Sequence, residues 1–495
     1  MAENTHNNFI GGQWAPTTTG TTYTITNPAH KSDVLGEFQS STAEDAQRAV
    51  AAAADALDEW AETPAPSRAA VLFRALAILE RRADEMARSI TIEEGKPLLD
   101  AQGEVKRAMN IIEYAAGEGR RMFGYTTPSE LPSTMAYTIR RPVGVVAIIT
   151  PWNFPLAIPA WKIAPALICG NTLVFKPASS TPMTAVKLME VFEEAGLPPG
   201  VLNLVTGPGS SVGNTLVESP DVKGISFTGS TEIGTGIYAE GARSLKKVQC
   251  EMGGKNAVIL MADADLDKAL GGIVQGAFGS TGQRCTATSR VIVEEAIYDE
   301  FMEQLIDRTG KLKIGDGLDP EVDVSPLASR SQFETVTGYI GMGTEEGARL
   351  ACGGNALTGG IYDEGYYVEP TIFTDVDPSM RIAQEEIFGP VLTVFKANDL
   401  AEAIEVSNSV KFGLSSSVYT RDLTQAFQYV HTVETGMVHI NSPTLGGEVH
   451  LPFGGLKSSG VGHREQGVEA VEFFSEVITV YVDYAGAPRQ QAKFI

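Results

Sequence analysis

Cysteine and histidine are scarce in this chain, which has four cysteines and six histidines among 495 residues. No two cysteines form a CxxC pair, and no cysteine–histidine cluster has the spacing of a zinc site, so we expect no structural metal. So few cysteines in so long a chain are typical of a reducing compartment. None of the histidines lies in a recognisable catalytic motif, which disfavours a cysteine hydrolase, since that class needs a histidine beside its thiol.

Positive charge and uninterrupted apolar sequence are also in short supply. The chain has 38 basic and 61 acidic residues, and its net charge of −23 disfavours binding to nucleic acid or to anionic membranes. One stretch, the 20 uncharged residues between Arg141 and Lys162, has the length of a membrane span. Four prolines interrupt it, and its β-branched residues predict a buried strand at 143–150 instead. The first ten residues are polar and lack the apolar core of a secretory signal, so we expect a cytoplasmic protein.

Strand-like and helix-like segments do alternate along residues 143–251, and they alternate again from 255 to about 454. Such alternation predicts an α/β fold, with parallel sheets that carry helices on both faces and bind ligands at the carboxyl ends of their strands. Ahead of these segments, three helices predicted at 42–60, 67–94 and 99–117 look like scaffold.

A β-branched strand is predicted near the end of the chain, at 476–484. A lone terminal strand would leave its backbone groups unpaired and would be an aggregation hazard. Pairing with a neighbouring subunit is one remedy, so we expect a homo-oligomer, either a dimer or a tetramer.

Two potentially reactive side chains, Glu251 and Cys285, are each set among glycines and lie 34 positions apart. Glycine lets the backbone approach a ligand closely and leaves an adjacent side chain unscreened. A thiol in such a setting suggests a nucleophile, and a carboxylate suggests its general base. Spacing alone favours the alternative that Cys285 is one more buried cysteine.

Glycine and small polar residues gather in the loops that follow the predicted strands. The segment 207–213 follows a strand and opens a helix, as a phosphate-binding helix N-terminus does, although its spacing is not GxGxxG. Residues 227–230 occupy the same kind of position, and residues 176–180 place a lysine and two hydroxyls at the end of another strand. A nucleotide laid across three adjacent strand ends would explain all three loops.

The motifs together resemble the NAD(P)-dependent aldehyde dehydrogenase superfamily. Seven pieces match in the family's order and span nearly the whole chain: PWNFP at 151–155, KPAS at 176–179, FTGS at 227–230, EMGG at 251–254, GQRC at 282–285, EEIFGP at 385–390 and PFGG at 452–455. This context moves the nucleophile interpretation of Cys285 ahead of the buried-thiol interpretation.

The resemblance implies a fold with a Rossmann-like cofactor domain at 1–122 and 143–254, an α/β catalytic domain at 255–457 and a small β oligomerisation extension at 123–142 and 475–495. It also implies that Cys285 attacks the aldehyde to give a thiohemiacetal and then a thioester. Asn153 would stabilise the oxyanion, and Glu251 would activate the hydrolytic water. Lys162 and Glu465 match positions associated with proton relay.

The cofactor implied by the resemblance is NADP or NAD. In that family Glu386 would bind the nicotinamide ribose with Phe388 beside it, Lys176 would bind the adenosine ribose, and Trp152 and Gln332 would line the groove. The remaining predicted cofactor residues are Thr150, Pro151, Ser179, Gly209, Gly213, Phe227, Thr228, Gly229, Ser230, Ile233, Met252 and Gly253.

Two departures from the family pattern concern specificity. NAD-strict relatives carry a glutamate where this chain has Ser179, so we predict that NADP is accepted, alone or alongside NAD. Succinate-semialdehyde dehydrogenases carry two substrate-binding arginines where this chain has Trp161 and Gly279. The whole pattern looks closest to the α-ketoglutarate-semialdehyde (2,5-dioxopentanoate) dehydrogenases.

Arg284, next to the predicted nucleophile, can supply a replacement cation for an acidic substrate or can form a structural salt bridge facing away from the pocket. Succinate-semialdehyde or broad-specificity aldehyde oxidation stays an alternative activity. Two other classes stay as alternatives, a cysteine hydrolase and a non-catalytic binding protein.

Overall fold

The computed structural model describes residues 5–486, which form two large sheets with helices packed on both faces. From edge to edge, the eight strands of the first sheet are Gly460–Val461, Lys247–Glu251, Val222–Thr228, Val145–Ile149, Thr172–Lys176, Leu202–Leu204, Asn8–Ile10 and Gln13–Ala15. Its five central strands are parallel. All five residues of Val145–Ile149 are buried, as expected of a β-branched strand covered on both sides.

The second sheet lies in the C-terminal half of the chain. Its seven strands, from edge to edge, are Arg349–Cys352, Thr371–Thr374, Val391–Ala397, Thr288–Glu294, Asn256–Leu260, Ser415–Tyr419 and Met437–Ile440. Every pairing is parallel except that of the edge strand Arg349–Cys352. In both sheets, therefore, the loops that follow the central parallel strands lie together at the carboxyl ends of those strands. The predicted α/β fold class is confirmed, whereas the domain boundaries stay a prediction.

The helices agree with the sequence interpretation at most places. They are Ala43–Glu62, Ala65–Arg81, Ala83–Glu94, Leu98–Glu118, Ala157–Ile168, Pro182–Glu194, Asn214–Glu218, Thr231–Arg243, Leu266–Phe278, Tyr298–Thr309, Arg330–Glu345, Arg381–Gln384, Leu400–Asn408, Leu423–Thr432 and Gly467–Phe473. The single helix predicted at 67–94 is instead two. Arg82 separates them with φ −97° and ψ 11°, outside the helical range. Its guanidinium is held there by Glu85 and Glu190.

Helix Ala157–Ile168 was not predicted. All twelve of its residues are buried, so it lacks the alternation of polar and apolar faces that marks a surface helix. Prolines also disfavour a helix here; Pro159 lies in the first turn, where a proline is tolerated, but Pro165 lies inside the helix. Within residues 5–486, none of the helices combines the length and apolar character that a bilayer crossing requires.

Smaller sheets complete the fold. They pair Thr5–His6, Val34–Gln39 and Thr22–Thr26; Phe412–Gly413 and Leu456–Lys457; and Ser475–Asp483, Thr134–Pro142 and Thr126–Pro128.

The C-terminal strand has a partner within its own chain. Ser475–Asp483 pairs antiparallel with Thr134–Pro142 over nine residues. The expectation of a lone terminal strand was therefore wrong, because its partner lies more than 300 positions earlier in the sequence. Residues 1–4 and 487–495, parts of the predicted cofactor domain and extension, lie outside the described residues.

Candidate active site

Cys285 stands on a tightly wound turn. The preceding turn, Gly279–Gly282, holds Ser280 and Thr281 at φ values of 48° and 58°, which non-glycine residues rarely adopt. Asp100 accepts hydrogen bonds from the Ser280 amide and hydroxyl, at 3.0 and 2.6 Å, and fixes the turn. Gly282 also has positive φ, and a Cβ there would lie 2.2 Å from the Gly389 carbonyl oxygen. Glycine is thus required for the turn that presents the thiol.

Two cavities meet at Cys285. One, of about 210 Å³, is lined by Pro151, Trp152, Asn153, Ile158, Thr228, Gly229, Ser230, Met252, Gly253, Cys285, Gln332, Glu386 and Phe388. The other, of about 230 Å³, is lined by Leu99, Asp100, Gly103, Glu104, Arg107, Phe154, Trp161, Arg284, Cys285, Thr286, Leu445, Gly446 and Phe453. Cys285 lines both cavities and is half-buried, so two different ligands can lie beside it at once. This arrangement is the opposite of a cysteine packed away as a small apolar residue.

Asn153 is fixed beside the cysteine turn. Its side-chain amide donates to the Gln283 carbonyl at 3.2 Å, two residues before Cys285. The Lys96 ammonium donates to the Asn153 carbonyl at 2.5 Å and pairs with the buried Glu104 carboxylate at 2.8 Å. Glu104 in turn accepts from the amide of Leu156 at 2.8 Å, at the start of helix Ala157–Ile168. A buried ion pair thus holds the Asn153 loop against the thiol.

Glu251 ends strand Lys247–Glu251 and is buried. Its carboxylate accepts a hydrogen bond from the Gly455 amide at 3.3 Å, and a Cβ at Gly454 would lie 2.3 Å from its Oε1. The side chain therefore rests on residues 454–455 rather than in either cavity. Burial raises its pKa well above the usual range, and the nearby Glu465 carboxylate raises it further.

Lys162 and Glu465 form a buried ion pair, each side chain being 1% exposed. The Lys162 ammonium also donates to the Ser226 hydroxyl at 2.9 Å, within strand Val222–Thr228. Both charges act on the pKa of Glu251, the ammonium lowering it and the Glu465 carboxylate raising it. The structure thus brings together the three side chains that the sequence had linked.

The 210 Å³ cavity brings together Glu386, Phe388, Trp152 and Gln332, four of the predicted cofactor residues. The Glu386 carboxylate accepts from the Gly254 amide at 2.9 Å, and burial raises its pKa to about 7. A Cβ at Gly253 would lie 2.2 Å from Glu386 Oε2, so this position has room only for glycine. The Trp152 and Phe388 rings meet edge to face, with centres 5.3 Å apart, and form an aromatic wall. Gln332 donates to the Phe388 carbonyl at 2.8 Å and fixes that wall.

A second group of predicted cofactor residues lies beyond this cavity, at the ends of neighbouring strands. Thr150 donates its amide to the Lys176 carbonyl at 3.2 Å, and Ser179 donates its hydroxyl to the Gly207 carbonyl at 2.9 Å. A Cβ at Gly213 would lie 3.8 Å from the Lys176 side chain, so segments 176–180 and 207–213 do adjoin.

Gly209, Phe227 and Ile233 complete this group. Gly209 begins the short helical turn Gly209–Gly213, and the Phe227 ring packs under Gly229. The Ile233 amide donates a hydrogen bond to the Ser230 hydroxyl at 3.4 Å, and the Ile233 side chain is exposed. Segments 176–180 and 207–213 thus follow neighbouring strands, whereas strand Val145–Ile149 separates them from segment 227–230 at the same end of the sheet.

The Lys176 ammonium is buried and donates to the Pro177 carbonyl at 2.9 Å. Burial lowers its pKa to about 8. Among the residues of 5–486, no carboxylate lies within ion-pair distance of it, so its charge is available to an anionic ligand.

The chain matches the aldehyde dehydrogenase family model over residues 14–480. It belongs to the aldehyde dehydrogenase family. It is 46% identical to the alpha-ketoglutaric semialdehyde dehydrogenase of Bacillus subtilis, over 97% of this chain and 98% of that one. It is 45% identical to the alpha-ketoglutarate semialdehyde dehydrogenase of Haloferax volcanii, over 96% and 99% of the two chains. A crystal structure of betaine aldehyde dehydrogenase from Staphylococcus aureus in complex with NAD+ superposes with a TM-score of 0.96, at 34% identity, over 99% of this chain and 97% of that one.

The protein is therefore an oxidoreductase that acts on aldehydes. The family, the fold and the enzyme class predicted from the seven motifs are confirmed. The cysteine hydrolase and the non-catalytic binding protein are set aside as alternatives. Among the described residues there is no group of three or more His, Cys, Asp and Glu placed to hold a metal ion.

The second cavity, on the other side of Cys285, is the aldehyde dehydrogenase's candidate substrate site. Trp161 and Arg284 both line it, as predicted. Arg284 also forms an ion pair with Asp100 at 2.8 Å and donates to the Ser280 hydroxyl at 2.7 Å. Arg284 thus combines the two alternatives drawn from the sequence, since it faces the cavity while its charge is already paired.

One helix of this cavity had been interpreted as scaffold. Helix Leu98–Glu118 contributes Leu99, Asp100, Gly103, Glu104 and Arg107 to the wall. These residues recur at helical spacing and form one face. The sequence did carry a signal, because three charged residues share a face that a scaffold helix would fill with apolar ones. The scaffold interpretation of this helix was wrong, and it overlooked Arg107.

Proposed function

We propose that the enzyme oxidises an acidic semialdehyde, such as α-ketoglutarate semialdehyde, to the carboxylic acid with NADP or NAD. The observation that carries this proposal is the position of Cys285, which lines both cavities. The names of the Bacillus and Haloferax relatives support the substrate class. A bound nicotinamide dinucleotide would supply the hydride acceptor.

In the proposed mechanism, the Cys285 thiol releases its proton to solvent in the cavity and the sulfur attacks the carbonyl carbon of the aldehyde. The carbonyl π bond opens to an oxyanion, which gives the deprotonated form of a thiohemiacetal. The Asn153 amide and the Cys285 backbone N–H stabilise the oxyanion. The Lys96 ammonium donates to the backbone carbonyl of Asn153 at 2.5 Å, and this contact keeps the Asn153 side-chain amide in place. After loss of hydride, the acyl group is a thioester on Cys285.

Glu251 then acts as the general base for hydrolysis. Its carboxylate lies against Gly455, so the side chain must rotate to reach a water beside the thioester. The proton that it accepts can pass to the Lys162–Glu465 pair, whose charges act on its pKa. This route would return Glu251 to its ionised form between turnovers.

The substrate proposal predicts a clear order of activities. We expect kcat/KM for α-ketoglutarate semialdehyde to exceed that for pentanal by at least about tenfold, since pentanal lacks a carboxylate and one charge-assisted contact is worth that much. It should also exceed kcat/KM for succinate semialdehyde, whose carboxylate lies one carbon nearer the aldehyde. Absorbance at 340 nm, with aldehyde and oxidised cofactor both present, measures each rate. A higher value for succinate semialdehyde would favour the alternative activity, and equal values for all three would indicate broad specificity.

The cofactor proposal rests on Lys176 and Ser179. Without a carboxylate at position 179, a 2′-phosphate is not repelled and can pair with the Lys176 ammonium. Because kcat/KM reports the free enzyme, the ratio of kcat/KM for NADP over NAD should fall about tenfold between pH 7 and pH 9, as Lys176 loses its proton near pH 8. The substitution Lys176→Met should remove this pH dependence. A preference for NAD above about 100-fold at pH 7, worth roughly 2.7 kcal/mol, would contradict the proposal.

We also propose that the enzyme is a cytoplasmic homodimer or homotetramer. Strand Ser475–Asp483 lies at the edge of its sheet and exposes Val477, Tyr481 and Val482. An exposed apolar edge strand is a surface that proteins usually cover. All four cysteines are free, which fits a reducing compartment.

A further inference from the structure

Arg107 projects from helix Leu98–Glu118 into the wall of the candidate substrate cavity. Its guanidinium lies 5.5 Å from the centre of the Trp161 ring, and it donates to the Gly447 carbonyl and, at 3.0 Å, to the Gln466 side chain. An arginine has five N–H donors, so these two contacts leave three. The protein therefore holds the Arg107 guanidinium in place but uses only two of its five N–H donors.

The other charges of this cavity wall are paired. Arg284 pairs with Asp100 at 2.8 Å, and Glu104 pairs with Lys96 at 2.8 Å. Arg107 has no carboxylate within ion-pair distance among residues 5–486. The wall therefore carries one uncompensated positive charge, and it comes from Arg107.

Leaving a charge half-buried and unpaired costs free energy. Burial lowers the pKa of Arg107, yet a guanidinium keeps its proton in a protein, so the charge persists. Such a site is stabilised when an anion enters it. Arg107 and Cys285 line the same cavity of about 230 Å³, so one small molecule can contact both.

We propose that Arg107 binds the carboxylate of the aldehyde substrate and makes the enzyme selective for acidic aldehydes. The aldehyde carbon then lies at Cys285 and the carboxylate at the guanidinium, with the substrate chain along Trp161 and Phe453. Gln466 and the Gly447 carbonyl are positioning groups for the guanidinium. This role rests on the proposed function, and it falls to Arg107 rather than Arg284 because Asp100 already neutralises Arg284.

The test compares two aldehydes of equal length, 5-oxopentanoate and pentanal, which differ by the carboxylate. We expect Arg107→Met to lower the ratio of kcat/KM for 5-oxopentanoate over pentanal by about 100-fold, mostly through KM. Arg107→Lys, which keeps the charge but loses the planar fork, should lower the ratio by about tenfold. The matched control Arg284→Met should change the ratio by less than about threefold.

The outcomes separate this inference from the proposed function. If the wild-type enzyme oxidises neither aldehyde, the proposed function fails. If it oxidises both and Arg107→Met lowers the two kcat/KM values by the same factor, the inference alone is overturned. A selective loss in Arg284→Met would transfer the role to Arg284. Should Arg107→Met fail to fold, as judged by calorimetry, the ratio measured with Arg107→Lys decides, and an unchanged ratio there overturns the inference.

Discussion

Replacing Cys285 with serine is expected to lower kcat for aldehyde oxidation by at least about 10⁴-fold, as removal of a catalytic nucleophile does elsewhere. Burial raises the pKa of the Cys285 thiol to about 12, and the nearby carboxylates of Glu386 and Glu251 act in the same direction. The resting sulfur therefore carries its proton at neutral pH and must lose it as the attack begins. A serine hydroxyl is harder still to deprotonate and is a weaker nucleophile. Steady-state absorbance at 340 nm measures the loss.

Cys352→Ser is the matched control for this substitution. Cys352 is half-buried at the edge strand Arg349–Cys352 and lines neither cavity at Cys285. We expect its replacement to leave kcat within about twofold, as surface substitutions usually do. If Cys285→Ser oxidised aldehydes at the wild-type rate, covalent catalysis through this sulfur would be ruled out.

Replacing Glu251 with glutamine is expected to separate the two halves of the reaction. Acylation should continue and give a burst of about one reduced cofactor per active site. The steady-state rate should then fall by about 10²- to 10⁴-fold, because no general base remains to activate water. Stopped-flow absorbance at 340 nm measures both phases. The burst is an internal control, since a misfolded variant would lose it as well.

The pH dependence of the same step follows from the burial of Glu251. Because burial, and then Glu465, raise its pKa, the carboxylate that acts as base is populated only as the pH rises through that elevated pKa. The wild-type steady-state rate should therefore increase toward alkaline pH wherever hydrolysis limits turnover. Glu251→Gln should lose this increase. If Glu251→Gln kept the wild-type steady-state rate, Glu251 would not be the general base.

The sequence predicted the parts of the structure that depend on local pattern. The strand predicted at 143–150 is present as Val145–Ile149, because its β-branched run is short and lies between Pro142 and Pro151. Loops that follow neighbouring parallel strands meet because these strands end at one edge of a sheet. Once the order of strands was known, the proximity of Lys176 to Gly213 required no further information.

The features that the sequence did not predict depend on contacts between distant segments. Helix Ala157–Ile168 is buried on every side, so its apolar pattern has no helical period. The pairing of Ser475–Asp483 with Thr134–Pro142 joins two segments whose proximity no local pattern records. Arg107 was missed because the role of a charged residue on a helix depends on what that face of the helix lies against, which here is the cavity.

The shared wall at Cys285 has a consequence for inhibition. Each of the two cavities has its own lining, and Cys285 is the residue that they share. If the coenzyme binds in the cavity of Trp152 and Phe388, as we propose, a small electrophile that enters on the side of Trp161 would alkylate Cys285 while the coenzyme stays bound. Covalent inactivators would then act without displacing the coenzyme.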